Sequence, residues 1–287
     1  MRIFLTGATG YIGSAVARGL REAGHDVGAL VRPDADTGAL RELGIVVISG
    51  DLESLPTLSE QLGDGYEAFV HTAQSRRNTV AADRAAVDTF TALGGYVLYT
   101  SGVWVLGNTS DAHEGSDVNP IELVSWRPSH EELVLGAGGG VLRPGCVYGG
   151  KQSLLADWFA AADQNRPLQI VGDGTNRWAM VDLNDLVDLY VRIVQQRASG
   201  VLHGIDDSAA TLEECARAVA PDGTVERTPL ENARPNLGAF ADALAIDQRI
   251  SSTHTRSLTG WTPRRTFINS VAEQWSEWRK STEETSL

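Results

Sequence analysis

Three glycines near the start of the chain constrain its fold more than any other feature. Gly7, Gly10 and Gly13 follow a short apolar run at residues 3–5 and open an amphipathic stretch over residues 12–23. In such a loop the first glycine permits a tight turn, the second lets backbone N–H groups approach a diphosphate, and the third lets the helix pack on the strand. The positive end of the helix dipole also attracts an anion. The sequence therefore predicts a strand–loop–helix unit that binds the diphosphate of a dinucleotide.

The next two hundred residues alternate short β-branched runs with segments of helical period. Such alternation is typical of βαβ units and a parallel sheet. The predicted fold class is therefore α/β, a doubly wound parallel sheet with a small, mostly helical substrate-covering region. The predicted strands of the sheet are residues 3–5, 25–31, 45–48, 68–71, 96–100, 141–143, 178–181 and 201–205, and the main helices after the first are 80–93, 121–135 and 185–196.

The alternation changes after Gly149. A predicted helix over residues 154–164 and a strand at 168–171 lead into a turn at 172–174, and from Thr211 onward short helices and loops predominate. We therefore expect three parts: a dinucleotide-binding domain of residues 1–149 plus 178–205, a substrate-binding region of 150–177 plus 206–260, and a C-terminal helix and tail of 261–287.

Composition narrows the class of partner. The 287 residues include 24 Lys and Arg against 37 Asp and Glu, a net charge of −13. An acidic surface argues against non-specific binding to nucleic acid or anionic membranes, which attract Lys and Arg. Cys146 and Cys215 have no metal-ligand spacing, and no apolar run approaches the roughly 18 residues of a membrane span. We expect a soluble, cytoplasmic protein with a small-molecule substrate, no metal and no nucleic-acid or membrane partner. A homodimer is one assembly compatible with this expectation.

Further motifs add to the glycine loop. Gly50-Asp51-Leu52 and Thr72-Ala73 follow the third and fourth predicted strands, and residues 142–149, 172–174 and 258–263 form three more short motifs. Together they resemble the extended or atypical branch of the short-chain dehydrogenase/reductase superfamily, whose members are NAD-dependent epimerase/dehydratase-like. The resemblance implies a Rossmann fold and a nicotinamide cofactor. The cofactor contacts that it implies are Gly7, Thr9, Gly10, Tyr11, Ile12, Arg32, Asp51, Leu52, Thr72, Ala73, Thr100, Arg127, Pro144 and Val147.

The end of the second strand bears on the choice of cofactor. An NAD-specific site places a carboxylate there to accept from the ribose 2′-hydroxyl. This chain has Val31 followed by Arg32, and an arginine can pair with a 2′-phosphate. Asp34 lies nearby and favours NAD, and Arg32 can also be a solvated charge at a strand end. We expect NADP, with NAD possible.

The superfamily's usual proton relay is missing. It needs a tyrosine, a lysine four residues later, and a serine or threonine that orients the carbonyl oxygen. No tyrosine of the chain has a basic residue four positions later. Aligned on the resemblance, the three positions hold Gly102, Leu123 and Arg127. The resemblance therefore supports cofactor binding but not the standard proton relay.

Other residues are candidates to replace it, because hydride delivery to a ketone creates an alkoxide that must be stabilised. We expect Ser101 to donate a hydrogen bond, Arg127 to take the lysine's place at the nicotinamide ribose, and Tyr148 to be a further catalytic residue. The alternatives are a strand-end hydroxyl for Ser101, an ion pair with Glu131 for Arg127, and a packed aromatic ring for Tyr148. The resemblance places four more polar side chains within reach, namely Thr100, Trp104, His130 and Asp182. Of these, His130 can equally be an exposed helix residue and Asp182 a buried structural carboxylate.

The candidate substrate contacts are Trp104, Arg177 and Trp178. An arginine beside an aromatic ring can hold a phosphate, a carboxylate or a heterocycle, although a surface pair is the alternative for Arg177 and core packing the default for tryptophan. We expect an NADP(H)-dependent ketone reductase or alcohol dehydrogenase that acts on a small polar metabolite. The alternatives are a redox-neutral nucleotide-sugar epimerase or dehydratase and a non-catalytic NADP(H) sensor.

Overall fold

The computed structural model describes residues 1–283, apart from positions 64, 76, 151 and 207. The strands are β1 (Arg2–Thr6), β2 (Asp26–Val31), β3 (Val46–Ser49), β4 (Ala68–His71), β5 (Tyr96–Thr100), β6 (Thr109–Ala112), β7 (Gly140–Pro144), β8 (Cys146–Tyr148), β9 (Leu168–Val171), β10 (Met180–Asp182), β11 (Gly200–Gly204), β12 (Val225–Thr228) and β13 (Gln248–Ile250). The helices are α1 (Tyr11–Glu22), α2 (Gly38–Glu42), α3 (Ser59–Gly63), α4 (Thr79–Ala92), α5 (Arg127–Gly136), α6 (Ala156–Asp163), α7 (Leu183–Gln196), α8 (Leu212–Val219), α9 (Leu230–Leu237), α10 (Phe240–Leu244), α11 (Thr253–Thr259) and α12 (Phe267–Glu283).

One sheet of seven strands organises the molecule, in the order β11-β7-β5-β4-β1-β2-β3. All of its neighbouring strands run parallel. The direction of winding reverses between β1 and β4, and ligands of open α/β sheets bind at the carboxyl ends of the strands at such a switch point. The predicted α/β class, a doubly wound parallel sheet, is confirmed.

Helices cover both faces of this sheet because each carries an apolar stripe. Val16 and Leu20 of α1 share one core cluster with residues of α7. Ala86 and Phe90 of α4 pack into a second cluster on the opposite face. None of the helices described here is both long and apolar enough to cross a membrane.

A separate core supports the covering region. Trp158 of α6, Leu168 of β9, Leu212 of α8 and Phe267 of α12 belong to one cluster, and β9 pairs in parallel with β12. The C-terminal helix therefore packs into the covering region. We retain the predicted domain boundaries as a proposal. The end of the predicted C-terminal tail, residues 284–287, lies outside the described residues.

Three predicted elements differ from the structure. The strand predicted at 178–181 is wrong as part of the main sheet, because β10 pairs with β8 in a ladder of its own. The helix predicted at 121–135 begins only at Arg127, since Pro128 fits only the first turn of a helix. β12 and β13 lie where short helices and loops are predicted, because runs of three or four residues give little periodic signal.

Candidate active site

The glycine loop joins β1 to α1 at the switch point of the sheet. Gly7 has a φ of +84°, and a Cβ there would lie 2.6 Å from Thr72 Oγ1 and 2.8 Å from the Ala73 backbone nitrogen. A Cβ on Gly13 would lie 2.0 Å from the Gly7 carbonyl oxygen. Close packing against β4 and within the loop therefore requires glycine at both positions. Thr72 and Ala73 lie directly beside the loop.

Gly10 is less crowded than Gly7 and Gly13, although a Cβ there would still make one tight contact. A Cβ there would meet Gly7 O at 3.2 Å, and both Thr9 and Gly10 are exposed. Gly10 is the N-cap of α1, where no side chain caps the helix and no acidic residue occupies the first turn. The N–H groups of this turn and the helix dipole are thus left for an anion from outside. These residues fit a dinucleotide, and residues 7–12 would hold its diphosphate.

The neighbouring edge of the sheet carries the residues predicted for the adenosine half. The Arg32 side chain directly follows β2, is 61% exposed and lies 3.7 Å from the Asp34 carboxylate. Asp51 follows β3, and its carboxylate accepts from the Ser54 backbone N–H at 2.8 Å. Hydrogen bonds from Ser54 lower the pKa of Asp51. Asp51 thus caps a turn as an anion, while Arg32 remains an exposed cation where the resemblance places the ribose 2′ position.

A cleft of about 330 Å³ opens beside the loop. Its walls include residues that follow β5 and β7 and the beginning of α5, so it lies at the carboxyl edge of the sheet. The predicted site residues that line it are Tyr11, Ile12, Ser101, Trp104, Arg127, Pro144 and Val147. The cleft therefore connects the start of α1 with the residues predicted for the chemistry.

Two hydroxyl groups at the end of β5 differ in their partners. The Thr100 hydroxyl shares a hydrogen bond of 2.6 Å with the Tyr190 hydroxyl. Ser101 is 8% exposed, and its Oγ has no hydrogen-bond partner among the described residues although it lines the cleft. A buried hydroxyl without a partner costs free energy. An oxygen atom of a ligand in the cleft would remove that cost by accepting from Ser101.

Arg127 lines the same cleft from the first turn of α5. Its Nη1 donates to Thr100 O at 2.9 Å and to the Tyr99 hydroxyl at 3.1 Å. Its guanidinium carbon lies 4.6 Å from the centroid of the Trp126 ring. The alternative of an ion pair with Glu131 is wrong, because Glu131 is buried in an ion pair with Arg143. Arg127 is therefore a cation fixed by the end of β5.

Buried polar side chains continue behind this guanidinium. The Tyr99 hydroxyl donates to Asp83 Oδ2 at 2.9 Å, and His130 Nδ1 donates to the same oxygen at 2.7 Å. His71 Nε2 donates to Asp83 Oδ1 at 3.2 Å, while His71 Nδ1 shares a hydrogen bond of 2.6 Å with the Thr6 hydroxyl. These five side chains, hereafter the Asp83 network, connect the strand that carries the glycine loop to the cation of the cleft.

The Asp83 network is centred on an ionised carboxylate. Burial alone would raise the pKa of Asp83, but hydrogen bonds from His130 and His71 and the nearby charge of Arg127 outweigh that effect and hold the pKa well below its usual value. A carboxylate can accept from all three donors at once. The network therefore fixes the orientation of the Tyr99 hydroxyl and, through it, of Arg127.

Sequence comparisons connect the chain to known proteins. The model of the NmrA-like family matches residues 1–95, which contain the glycine loop. The chain is 28% identical to an uncharacterized protein of Schizosaccharomyces pombe, over 93% of this chain and 97% of that one. It is 29% identical to the 3-diazoavenalumate denitrifying reductase of a Streptomyces species, over 92% of this chain and 96% of that one. It is 25% identical to the ceramide reductase of Caulobacter vibrioides, over 93% of this chain and 84% of that one.

The fold is also similar to that of dTDP-glucose 4,6-dehydratase from Bacillus anthracis, solved in complex with NAD. The TM-score is 0.82 at 15% identity, with 99% of this chain and 98% of that chain covered. The match over the glycine loop, the relatives along nearly the whole chain and this likeness in fold agree with one another. They support an assignment of the chain to the atypical short-chain dehydrogenases/reductases.

The candidate active site departs from the tyrosine–lysine arrangement of the short-chain dehydrogenases/reductases in geometry as well as in residue type. Leu123 lies in a 3₁₀ turn at Glu122–Val124, ahead of α5, and Arg127 is the first residue of that helix. The two positions therefore do not share a helix face. Both side chains still line the cleft.

Three residues predicted for catalysis or substrate binding lie away from the cleft. Tyr148 is buried, its hydroxyl donates to Asp206 at 3.1 Å, and burial raises its pKa. The structure therefore favours the packed aromatic ring over the catalytic role. Arg177 donates to Ala209 O at 2.9 Å, and the buried Trp178 donates to a backbone carbonyl at 3.1 Å. The side chains of Arg177 and Trp178 are thus held by the covering region itself.

Other predicted residues have structural roles. His130 is buried in the Asp83 network rather than exposed. Asp182 is buried and caps α7 by accepting from the Asn184 backbone N–H at 2.8 Å, the alternative anticipated for it. Leu52 is buried in the core cluster of α4.

The sequence reasoning did not identify the Asp83 network. The available signal was an acidic residue in the apolar stripe of a helix, since Asp83 is buried in α4 beside Ala82, Ala86 and Val87. Gln74 was also overlooked as a residue of the cleft. Its position shortly after β4, at the carboxyl edge of the sheet, could have indicated it.

Proposed function

We propose that this protein is a carbonyl reductase, reversible as an alcohol dehydrogenase, in which Ser101 binds the substrate oxygen. The observation that supports it is the unpartnered, nearly buried Ser101 hydroxyl in the cleft next to the dinucleotide loop. Three relatives in the sequence comparison have the word reductase in their names. The substrate oxygen would replace the missing hydrogen-bond partner of Ser101.

The reaction requires one hydride and one proton. A nicotinamide cofactor held by the glycine loop would supply the hydride to the carbonyl carbon and be oxidised, and the carbonyl oxygen would take up one proton to complete the alcohol. Ser101 donates a hydrogen bond to that oxygen as negative charge develops on it. We propose water or an acidic group of the substrate itself as the source of the proton, since the chain has no tyrosine–lysine pair.

Arg127 acts as a fixed cation and not as a proton donor, because a guanidinium remains protonated at any physiological pH. Its Nη1 is held by Thr100 O and Tyr99, and the side chain lines the cleft. We propose that it takes the place of the lysine by donating to the nicotinamide ribose. Its charge also favours the developing alkoxide.

For the cofactor we propose a preference for NADP(H), supported by the exposed Arg32 cation and by the absence of a carboxylate at Val31. We expect Arg32→Asp to weaken binding of NADPH by about tenfold or more while changing NADH binding little, because only NADPH carries the 2′-phosphate. Isothermal titration with both cofactors measures this. Equal losses for both would contradict the assignment.

Arg177, the candidate contact for a phosphate or carboxylate, lies outside the cleft and donates to Ala209 O, so the small polar substrate stays a prediction. The same finding weakens the nucleotide-sugar alternative, which relied on an arginine for a phosphate. The non-catalytic sensor remains the other alternative, favoured by the missing tyrosine and lysine. A cytoplasmic location and a homodimer stay predictions.

The test measures the oxidation of NADPH, through its loss of absorbance, in the presence of a panel of ketones. Steady oxidation with formation of the matching alcohol is the result we expect. Tight cofactor binding with no turnover of any ketone would instead support the sensor. Cofactor retained in stoichiometric amount with no net redox change would support the epimerase or dehydratase.

A further inference from the structure

A second cavity, of about 410 Å³, lies in the covering region. Its volume falls within the range of roughly 300–1,000 Å³ that is usual for small-molecule sites. Its residues come from α6, β9, α9 and α10 and from the segments between them. The apolar residues that line it include Leu154, Trp158, Trp178, Leu237, Phe240 and Leu244.

This cavity adjoins the cleft that contains Ser101. Leu154 lines both spaces. Trp104 of the cleft contacts Phe240 of the cavity edge to face, with ring centroids 6.3 Å apart. The two spaces are therefore neighbours, with Leu154 at the border of both.

The polar groups around the cavity are already occupied or lie in water. Trp158 Nε1 donates to a backbone carbonyl at 3.0 Å, and Trp178 Nε1 does the same at 3.1 Å, so the two indoles offer apolar surface. Asp157, Arg166 and Gln169 also line the cavity, but all three are exposed. Arg166 Nε donates to a glutamine side chain at 2.8 Å. The lining therefore suits an apolar group and not a charged one.

Two leucines beside this space are unusually open to water. Leu154 is 40% exposed and Leu237 is 41% exposed. Large apolar side chains grouped around a cavity gain free energy when an apolar ligand covers them. Their exposure is thus explained by a ligand that is apolar at this end.

From these observations we infer that the substrate is a carbonyl compound with an extended apolar tail, whose carbonyl binds at Ser101 and whose tail fills the second cavity. The inference rests on the proposed reductase function for the head of the substrate only. Tail length and apolar character would then determine selectivity, while the strand ends would determine the reaction.

The experiment is a binding series that needs no turnover. Dissociation constants of 2-butanol, 2-hexanol, 2-octanol and 2-decanol are measured by calorimetry on the full chain with NADPH present, so that no oxidation of the alcohol occurs. We expect the affinity to rise by about fourfold for each added methylene until the cavity is filled. The matching ketones are assayed in parallel for NADPH oxidation.

Two matched variants locate the tail. Leu237→Glu adds a charge at the last residue of α9, beside the cavity, and should weaken 2-decanol binding by at least about tenfold while leaving 2-butanol unchanged. Leu258→Glu is the control, because Leu258 is 43% exposed near the end of α11 and lines neither space. If Leu237→Glu lowers the melting temperature, Leu237→Ser replaces it with the same expected direction.

Affinity that does not depend on chain length, or equal losses in the Leu237 and Leu258 variants, would overturn the inference. Affinity that rises with the chain length of the alcohol and falls for 2-decanol in Leu237→Glu, without turnover of any ketone, would support the tail cavity and contradict the reductase. Turnover of ketones without dependence of affinity on chain length would support the reductase and contradict the tail cavity. The two proposals therefore fail separately.

Discussion

The two walls of the proposed substrate space differ in the side chains that they present. The wall at the strand ends presents Ser101 and Arg127, and the Asp83 network supports Arg127 from behind. The wall in the covering region presents tryptophan, phenylalanine and leucine side chains around a cavity of about 410 Å³. The first wall carries a hydrogen-bond donor and a fixed cation among apolar side chains such as Leu123 and Trp126, whereas the second is formed mainly by apolar side chains and is partly open to water.

This difference separates chemistry from selectivity. A rigid polar wall fixes a hydrogen-bond donor and a cation for one reaction. An apolar wall selects ligands by size and hydrophobicity, since the free energy of burial depends on the apolar area removed from water and not on direction. Substitutions in the first wall should therefore alter rate constants or stability, and substitutions in the second should alter which substrates bind.

The largest effects are expected in the glycine loop, on the polar side of the comparison. Gly13→Ala should prevent native packing, because its Cβ would lie 2.0 Å from Gly7 O. Gly10→Ala should lower the melting temperature far less than Gly13→Ala, because its Cβ would lie 3.2 Å from Gly7 O. It should weaken cofactor binding by at least about tenfold, because the added methyl group lies at the exposed first turn of α1. Thermal unfolding and calorimetry of both variants measure this. A Gly10→Ala variant with normal affinity would show that the diphosphate lies elsewhere.

The next effect is expected at Asp83. Asp83→Asn should lower the free energy of unfolding by about 3 kcal/mol, because one amide cannot accept from His71, His130 and Tyr99 together. Since the pKa of Asp83 is lowered in the folded state, its stabilising effect is present above its unfolded pKa of about 3.9 and is lost as the pH falls below it.

Denaturant unfolding between neutral and acidic pH tests that sign. The difference between the wild type and Asp83→Asn should be largest near neutral pH and shrink as the pH falls. A difference that grew on acidification would contradict an ionised Asp83. The Asp83→Asn variant should also reduce kcat, as Arg127 loses its support.

The smallest effect is expected at Tyr148. Tyr148→Phe should cost about 1 kcal/mol of stability through the lost hydrogen bond to Asp206. It should leave kcat and KM unchanged, because the hydroxyl is buried away from the cleft. Steady-state kinetics and thermal unfolding measure both quantities. A large fall in kcat with normal stability would restore Tyr148 to the catalytic residues and weaken the contrast between the two walls.

The sequence predicted the sheet well because its signals are local. The apolar period of α1, the three glycines and the β-branched strands each lie within a dozen residues. Ser101 was predicted from its place after β5. The sequence could not show that Thr100, one residue earlier, would be occupied by Tyr190, a contact that spans 90 residues.

The parts that sequence reasoning missed depend on contacts between distant segments. The Asp83 network joins β1, β4, α4, β5 and α5, and no local pattern shows which donors meet the carboxylate. The same holds for Arg177, whose position beside Trp178 suggested a substrate contact. Its partner, Ala209 O, comes from a segment 32 residues away.

A single-turnover comparison tests the role of Ser101 most directly. NADPH oxidation is followed with a saturating ketone for the wild type, Ser101→Ala and, as the control for loss of a hydroxyl elsewhere, Tyr148→Phe. We predict that Ser101→Ala slows hydride transfer by about 100-fold with cofactor affinity and melting temperature preserved, while Tyr148→Phe keeps the wild-type rate. A Ser101→Ala variant as fast as the wild type would contradict the account.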